Sequence, residues 1–282
     1  MNKKLIFFSA LFLILISTGC KHSSSANPSK TDTSDSTKTK TVESSTPENK
    51  TKNTTAQIFA KPEVPVLCYH RIADGIKKSE YAISPATFAA HMKVLADSGY
   101  HSILPAQLYD YLVYNKALPE KPVMITFDDS RVEHSAVAAK ILEKHGFRGT
   151  FFIMTITYNK KNYMTKDEIA QLAKGGHCIG LHSWDHTMVT KYKDDTDWQK
   201  EVAEPQKKLA GIVGMPVEYW AYPNGVYNHI AAEKMSKYCK LSFSLFSKRD
   251  SVLPLQCIRR IIVPEMKPES LLKSMRRAFK CK

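Results

Sequence analysis

The sequence has no CxxC pair among its 6 cysteines, no GxGxxG, Walker-type or GxSxG motif, and no visible internal repeat. The missing cysteine spacing excludes a zinc knuckle or a thioredoxin-like centre. The missing glycine motifs argue against nucleotide binding and serine-hydrolase chemistry. Without a repeat period there is no solenoid. With 11 Gly, 14 Pro and 43% apolar residues over 282 positions, collagen-like, wholly disordered and disulfide-framework chains are excluded too. What is present suffices for one large domain or two small ones with a sizeable core.

Acidic residues are in short supply. Lys+Arg number 41 against 27 Asp+Glu, a formal net charge of +14. Lys3 and Lys4 carry two of these charges, and segment 21–61 carries three (seven Lys minus Asp32, Asp35, Glu43 and Glu48), leaving about nine on 62–282. Such a surplus suits envelope glycopolymers, lipid headgroups or nucleic acid and does not choose among them.

The chain opens with Asn2-Lys3-Lys4, an apolar run of twelve residues over 5–16, then Ser17-Thr18-Gly19-Cys20. A bilayer core needs about twenty apolar residues, so this run reads as a secretory signal. The cysteine after Gly19 makes it resemble a bacterial lipoprotein signal, with Ser17 where Leu is usual. That resemblance implies a signal peptide over 1–19, a lipidated Cys20, export, and attachment to a bacterial membrane on its periplasmic or cell-surface side. The alternative is an ordinary signal with an incidental cysteine. The following Ser/Thr/Lys-rich stretch, 20–61 with Cys20, has almost no large apolar residue until Ile58-Phe59. Burial cannot offset its conformational entropy, which predicts a disordered tether of about 35 Å. The folded domain is expected over 62–282.

From residue 64 onward short β-type runs alternate with helix-length amphipathic segments: VPVLCYH (64–70), KPVMITFDD (121–129), GTFFIM (149–154), CIGLH (178–182), VEYWAYP (217–223), KLSFSL (240–245) and CIRRIIVP (257–264). Ser84-Pro85 opens a helix that carries Phe88, Met92 and Leu95 on one face. Thr165 and Glu168 have capping-box spacing, and the last helix, about 268–279, turns Leu271, Leu272, Met275 and Phe279 inward. The alternation predicts a parallel α/β sheet, and about seven units suggest a closed or nearly closed barrel. Cys68 and Cys178 sit in apolar runs and read as small core residues. A disulfide between Cys239 and Cys257 is permitted in an oxidising envelope but not indicated.

In such barrels chemistry sits at the C-terminal ends of the strands. Those ends carry Tyr69-His70, Asp128-Asp129, His182 with His186, and Tyr222-Pro223-Asn224. Two neighbouring carboxylates at a strand end can take separate duties, or can cap a helix. The H-x3-H spacing lets two imidazoles reach one cation, although such pairs also occur as plain hydrogen-bonded features. Two His and one Asp make three ligands and leave a position open, the pattern of a catalytic metal.

FDD at 127–129, HSWDH at 182–186 and the strand VEYWAYPNG, with VPVLCYHRI and GTFF, resemble the successive motifs of the NodB-homology polysaccharide deacetylases. The resemblance spans about 64–265. The opening segment is most similar to the circularly rearranged branch that includes poly-β-1,6-N-acetylglucosamine N-deacetylases, where a first-strand histidine replaces a late one; the last histidine here is His229. The resemblance implies a distorted (β/α)7 barrel and one divalent metal, usually Zn2+, held by Asp129, His182 and His186. It implies Asp128 as general base, His70 as general acid, and Asn224 (backbone N–H) and Tyr222 at the oxyanion and substrate.

Three departures stand out. Ser130 replaces a usual glycine, Ala221 replaces the arginine that often partners the base, and Asn224 replaces an aromatic residue. Arg260 is the candidate substitute for the lost arginine. The expectation is thus a lipid-anchored, monomeric, metal-dependent hydrolase removing N-acetyl groups from an envelope or extracellular glycan. Poly-N-acetylglucosamine leads, with peptidoglycan, chitooligosaccharide and acetylxylan as alternatives. A catalytically impaired carbohydrate-binding lipoprotein and an O-acetyl (xylan) esterase are the competing readings. Nucleic acid is not expected as a partner, since the chain is exported and shows no nucleic-acid motif.

Overall fold

In the computed structural model, which describes residues 51–75 and 79–280, the apolar runs become parallel strands. These are β1 Val66–Tyr69, β2 Pro122–Phe127, β3 Thr150–Ile153, β4 Cys178–Leu181, β5 Tyr219–Ala221, β6 Leu241–Ser244, β7 Ile258–Arg259 and β8 Ile261–Ile262. Their order is β7-β6-β5-β4-β3-β2-β1-β8. The strands β7 and β8 are consecutive in the chain, with Arg260 between them. The first pairs with β6 and the second with β1, so the sheet returns on itself as a nearly closed barrel of eight parallel strands. The run 257–264, expected as one strand, is therefore two. The break leaves the Arg260 N–H bonded to the Ser244 carbonyl at 3.1 Å.

The helices begin where the caps are. Ser84 Oγ accepts from the Thr87 N–H (3.1 Å) at the head of Pro85–Asp97, and Thr165 with Glu168 forms a complete capping box on Lys166–Lys174. The last helix, Pro268–Phe279, buries Leu271, Met275 and Phe279, with Leu272 half-buried at its edge.

Because successive strand side chains face opposite ways, the barrel has two apolar layers. Outside, Tyr69, Phe127 and Phe151 pack under the helices, the two phenylalanines stacked at 4.6 Å. Inside lie Val66, Met124, Phe152, Leu241 and Phe243. Phe152 owes its place to Gly180, where a Cβ would stand 2.5 Å from its ring. Above it the interior turns polar, with the Arg260 guanidinium 5.4 Å from the Phe152 centroid.

One expectation is corrected at the N-terminus. The signal, Cys20 and the tether up to residue 50 lie outside the described residues, but the end of the expected disordered stretch is ordered. Thr55–Ala60 forms a helix with a capping box from Thr54 and Gln57. Its Ile58 is buried against Leu108 and Leu112 of Pro105–Tyr114. Burying one isoleucine contributes about 1.5–3 kcal/mol. Hydrogen bonds from Asn53 to the Leu112 carbonyl (2.8 Å) and from Arg249 to the Lys61 carbonyl (3.0 Å) add to it. Folded structure thus begins well before residue 62. Cys239 and Cys257 are both buried free thiols, so the permitted disulfide is not formed.

Candidate active site

The backbone at the strand ends is bent hard. Asp129, Ser130, Ser183, His186 and Asn224 have φ of 75, 57, 67, 74 and 57°, half of the ten non-glycine residues in the left-handed region among the described residues. Such conformations cost on the order of 1–3 kcal/mol each and cluster where function demands them. Ser130 offsets its share. Its Oγ accepts from the Met154 N–H at 2.7 Å, tying the end of β2 to that of β3. That bond is one glycine could not make.

Asp129 Oδ1 lies 3.7 Å from His182 Nε2 and 3.6 Å from His186 Nε2, and the three candidate ligand atoms fall within 4.8 Å of one another. The His182 Nδ1–H donates to the Ala221 carbonyl at 2.7 Å, which turns the Nε2 lone pair toward Asp129. Burial lowers its pKa to about 4, the nearby Asp128 opposing and His186 assisting, so the ring is neutral at neutral pH. His186 is placed by its own turn, its N–H donating to Ser183 Oγ at 2.7 Å. Two imidazole nitrogens and a half-buried carboxylate suit zinc or a similar divalent cation. These residues fit the group.

Asp128 is fully buried beside them. Arg260 grips it with both nitrogens, Nη1 to Oδ1 and Nη2 to Oδ2 at 2.7 Å each. Thr126 Oγ1 accepts from Arg260 Nη1 at 3.2 Å. Burial alone would raise the Asp128 carboxyl; the charge and hydrogen bonds of the Arg260 guanidinium outweigh it and hold the group well below the usual carboxylate range. His70 Nε2 stands 4.0 Å from Asp128 Oδ2, its ring edge-on to Tyr81 at 5.0 Å.

A second trio, Cys68, His70 and Asp128, is also close-set. It does not suit a cation. Arg260 already takes both carboxylate oxygens, and burial keeps the Cys68 thiol protonated, its pKa well above the ordinary value. The thiol instead donates to Asp128 Oδ2 at 3.5 Å.

The structure thus brings together Asp128, Asp129, His70, His182, His186 and Arg260. Asn224 sits at the end of β5 with its side chain exposed. Tyr222 is a correction. It is fully buried, stacked on Tyr227 at 5.3 Å and edge-on to Trp220, so its ring faces the outer layer and offers a substrate no surface. Arg260 is likewise buried, and what it touches is Asp128. Cys68, read as a plain core residue, is the residue the sequence reasoning missed; its position two before His70 puts both on one strand face. His177 accepts from the Gly149 N–H at 3.0 Å, a structural contact.

The sequence profile of the polysaccharide deacetylases matches residues 115–239, which hold Asp128, Asp129, His182 and His186. Over that segment the chain is similar to the polysaccharide deacetylase family. It is 30% identical over 175 residues to YxkH of Bacillus subtilis, a protein assigned to the polysaccharide deacetylases, covering 61% of each chain. It is 28% identical over 123 residues to the peptidoglycan-N-acetylglucosamine deacetylase PgdA of Listeria monocytogenes, 43% of this chain and 25% of that one. The match therefore spans less than two-thirds of either relative. Among solved structures, IcaB from Ammonifex degensii has 25% identity and a TM-score of 0.63, covering 77% of this chain and 97% of that chain. The deacetylase family is one of hydrolases acting on acetylated glycans and is metal-dependent in general. The barrel is the NodB type.

Proposed function

We propose that the protein is a Zn2+-dependent N-deacetylase of an N-acetylglucosamine-containing envelope or extracellular polysaccharide, with poly-N-acetylglucosamine as the leading substrate. The observation that carries this reading is the juxtaposition of a three-ligand group, Asp129, His182 and His186, with a carboxylate held ionised at Asp128 and an imidazole, His70, 4.0 Å from it. A divalent cation bound by that group supplies Lewis acidity and makes water a better nucleophile at neutral pH. Asp128 accepts the proton of the attacking water, and Arg260 keeps the carboxylate oriented and charged. His70 gives a proton to the departing amine, which would otherwise leave as an unstable anion. The Asn224 N–H is the proposed donor to the developing oxyanion.

Arg260 also speaks for catalysis over the impaired-binder reading, since it restores to Asp128 the partner that Ala221 withholds. Poly-N-acetylglucosamine is favoured by the VPVLCYH opening with His70 in place and by similarity to IcaB along nearly all of that chain. We further propose export, anchoring through a lipid on Cys20, and action as a monomer, since one chain supplies every group. The test is acetate release from poly-N-acetylglucosamine, peptidoglycan, chitooligosaccharide and acetylxylan, before and after chelation. Full activity after chelation would contradict the metal, and release from acetylxylan alone would support the esterase.

A further inference from the structure

The helix that follows Asp128-Asp129 begins with a π-helical turn, His134–Ala138. Such turns are rare and are found mostly at functional sites. This one delivers His134 into the apolar layer between barrel and helices, fully buried, with Phe127 and Phe151 at centroid distances of 5.3 and 6.1 Å. Its Nε2 lies 2.6 Å from the His70 carbonyl oxygen. A carbonyl only accepts, so Nε2 carries the proton. Burial keeps the ring neutral, which leaves Nδ1 a buried acceptor without a hydrogen-bond partner. A phenylalanine would fill the slot with no such unsatisfied nitrogen. Folding alone therefore does not account for a histidine here.

The peptide it grips joins His70 to Arg71. The other polar end of that same unit, the Arg71 N–H, donates to the Tyr81 carbonyl at 2.9 Å. A peptide plane pinned at both oxygen and N–H fixes the backbone on the C-terminal side of His70, and with it the direction of the side chain. On the N-terminal side the Tyr69 carbonyl accepts from the Asp128 N–H at 3.0 Å. One residue before His134, Glu133 accepts from Arg71 Nε at 2.6 Å. Two adjacent residues thus hold the two residues that follow the first strand.

We propose that His134 is a positioning residue: by donating to the His70 carbonyl it holds the His70 imidazole beside Asp128, where it protonates the departing amine. This rests on the reading of His70 as the acid. It goes further in making amide turnover depend on a residue that touches neither substrate nor metal ligand.

The test uses two substitutions in the zinc-loaded full chain. His134→Phe keeps a ring beside the two phenylalanines and loses the donor; His134→Gln keeps an N–H donor of similar reach. Each is assayed on an N-acetylated glucosamine oligomer and on an aryl acetate, whose leaving group needs no proton. A displacement of order an ångström at a reacting group lowers rates about 100-fold. His134→Phe should therefore lose about 10- to 100-fold in kcat on the amide. It should keep the aryl acetate rate within about twofold, with zinc content and thermal midpoint not reduced, and His134→Gln should recover most of the amide rate. His134→Leu, which also lacks the donor, repeats the comparison if the Phe chain does not accumulate. Equal losses on both substrates, or no loss on either, would overturn the positioning role while leaving the deacetylase reading intact. A wild type inactive on both substrates would overturn the two together.

Discussion

Arg260 meets Asp128 from inside the barrel, both guanidinium nitrogens on both carboxylate oxygens at 2.7 Å. It can do so because it lies at the break between β7 and β8, with its guanidinium over the Phe152 ring in the interior. Arg260→Leu leaves a buried carboxylate unpaired, which should destabilise the fold by about 3–5 kcal/mol. It should also let burial raise the Asp128 pKa. On the proposed reading Asp128 is the base and must be ionised to act, so the acid limb of kcat/KM should move to higher pH, with the variant weaker at pH 5 than at pH 8 relative to wild type. Urea unfolding and a pH–rate profile read the two effects. An acid limb that stays where it was would contradict the pairing.

That arrangement depends on a missing side chain. Gly180→Ala puts a Cβ 2.5 Å from Phe152 Cδ1 and 3.0 Å from the Tyr219 carbonyl oxygen. Backbone cannot yield easily there, so Phe152 must shift from beneath Arg260. Overpacking of this kind costs about 1–3 kcal/mol. We expect a lower urea midpoint together with a reduced turnover; an unchanged midpoint would show that Phe152 relaxes freely.

The strands, the capped helices and the groups at the strand ends were legible because they are local: alternating β runs, Ser84 and Thr165 before helices, FDD and H-x3-H at fixed spacing. What was not legible is long-range. The resemblance offered Arg260 as the substitute partner of Asp128, and the pairing is there, but nothing near residue 134 says that its imidazole meets the His70 carbonyl. The ordered helix at 55–60 was hidden for another reason. Its polar composition is that of a tether, and one buried isoleucine decides the matter against composition. Tyr222 failed as a substrate residue through strand alternation, which puts it on the Trp220 face and away from the interior.

That isoleucine makes a direct prediction. Ile58→Ala should lower stability by about 2 kcal/mol, the order expected for losing one buried aliphatic side chain. Urea unfolding checks it. A chain as stable as wild type would return residues 51–61 to the tether.

Stability should also depend on pH through histidines outside the metal group. Burial lowers the pKa of His91, His134 and His177 in the fold, while the unfolded chain protonates each near about 6.5. Between those values the unfolded state binds more protons, so the contribution is complete above about pH 6.5 and is lost as pH falls toward the folded values. Glu201, raised by burial and by Asp185, works in the opposite sense with one proton against three. The denaturation midpoint should therefore drop between pH 7.5 and pH 5. A flat or rising midpoint would mean that these rings are not neutral in the fold.

On the proposed reading, Asp128 takes the proton of the attacking water while Asp129, His182 and His186 hold the cation. The most direct measurement is acetate released from poly-N-acetylglucosamine by zinc-loaded wild type and Asp128→Asn, with bound zinc determined in the same samples. Full zinc occupancy is expected in both, with a rate lower by about 100-fold or more in the variant, the scale of losing a general base. Equal rates in the two proteins, or zinc-replete wild type that releases no acetate from this or any other acetylated glycan, would contradict it.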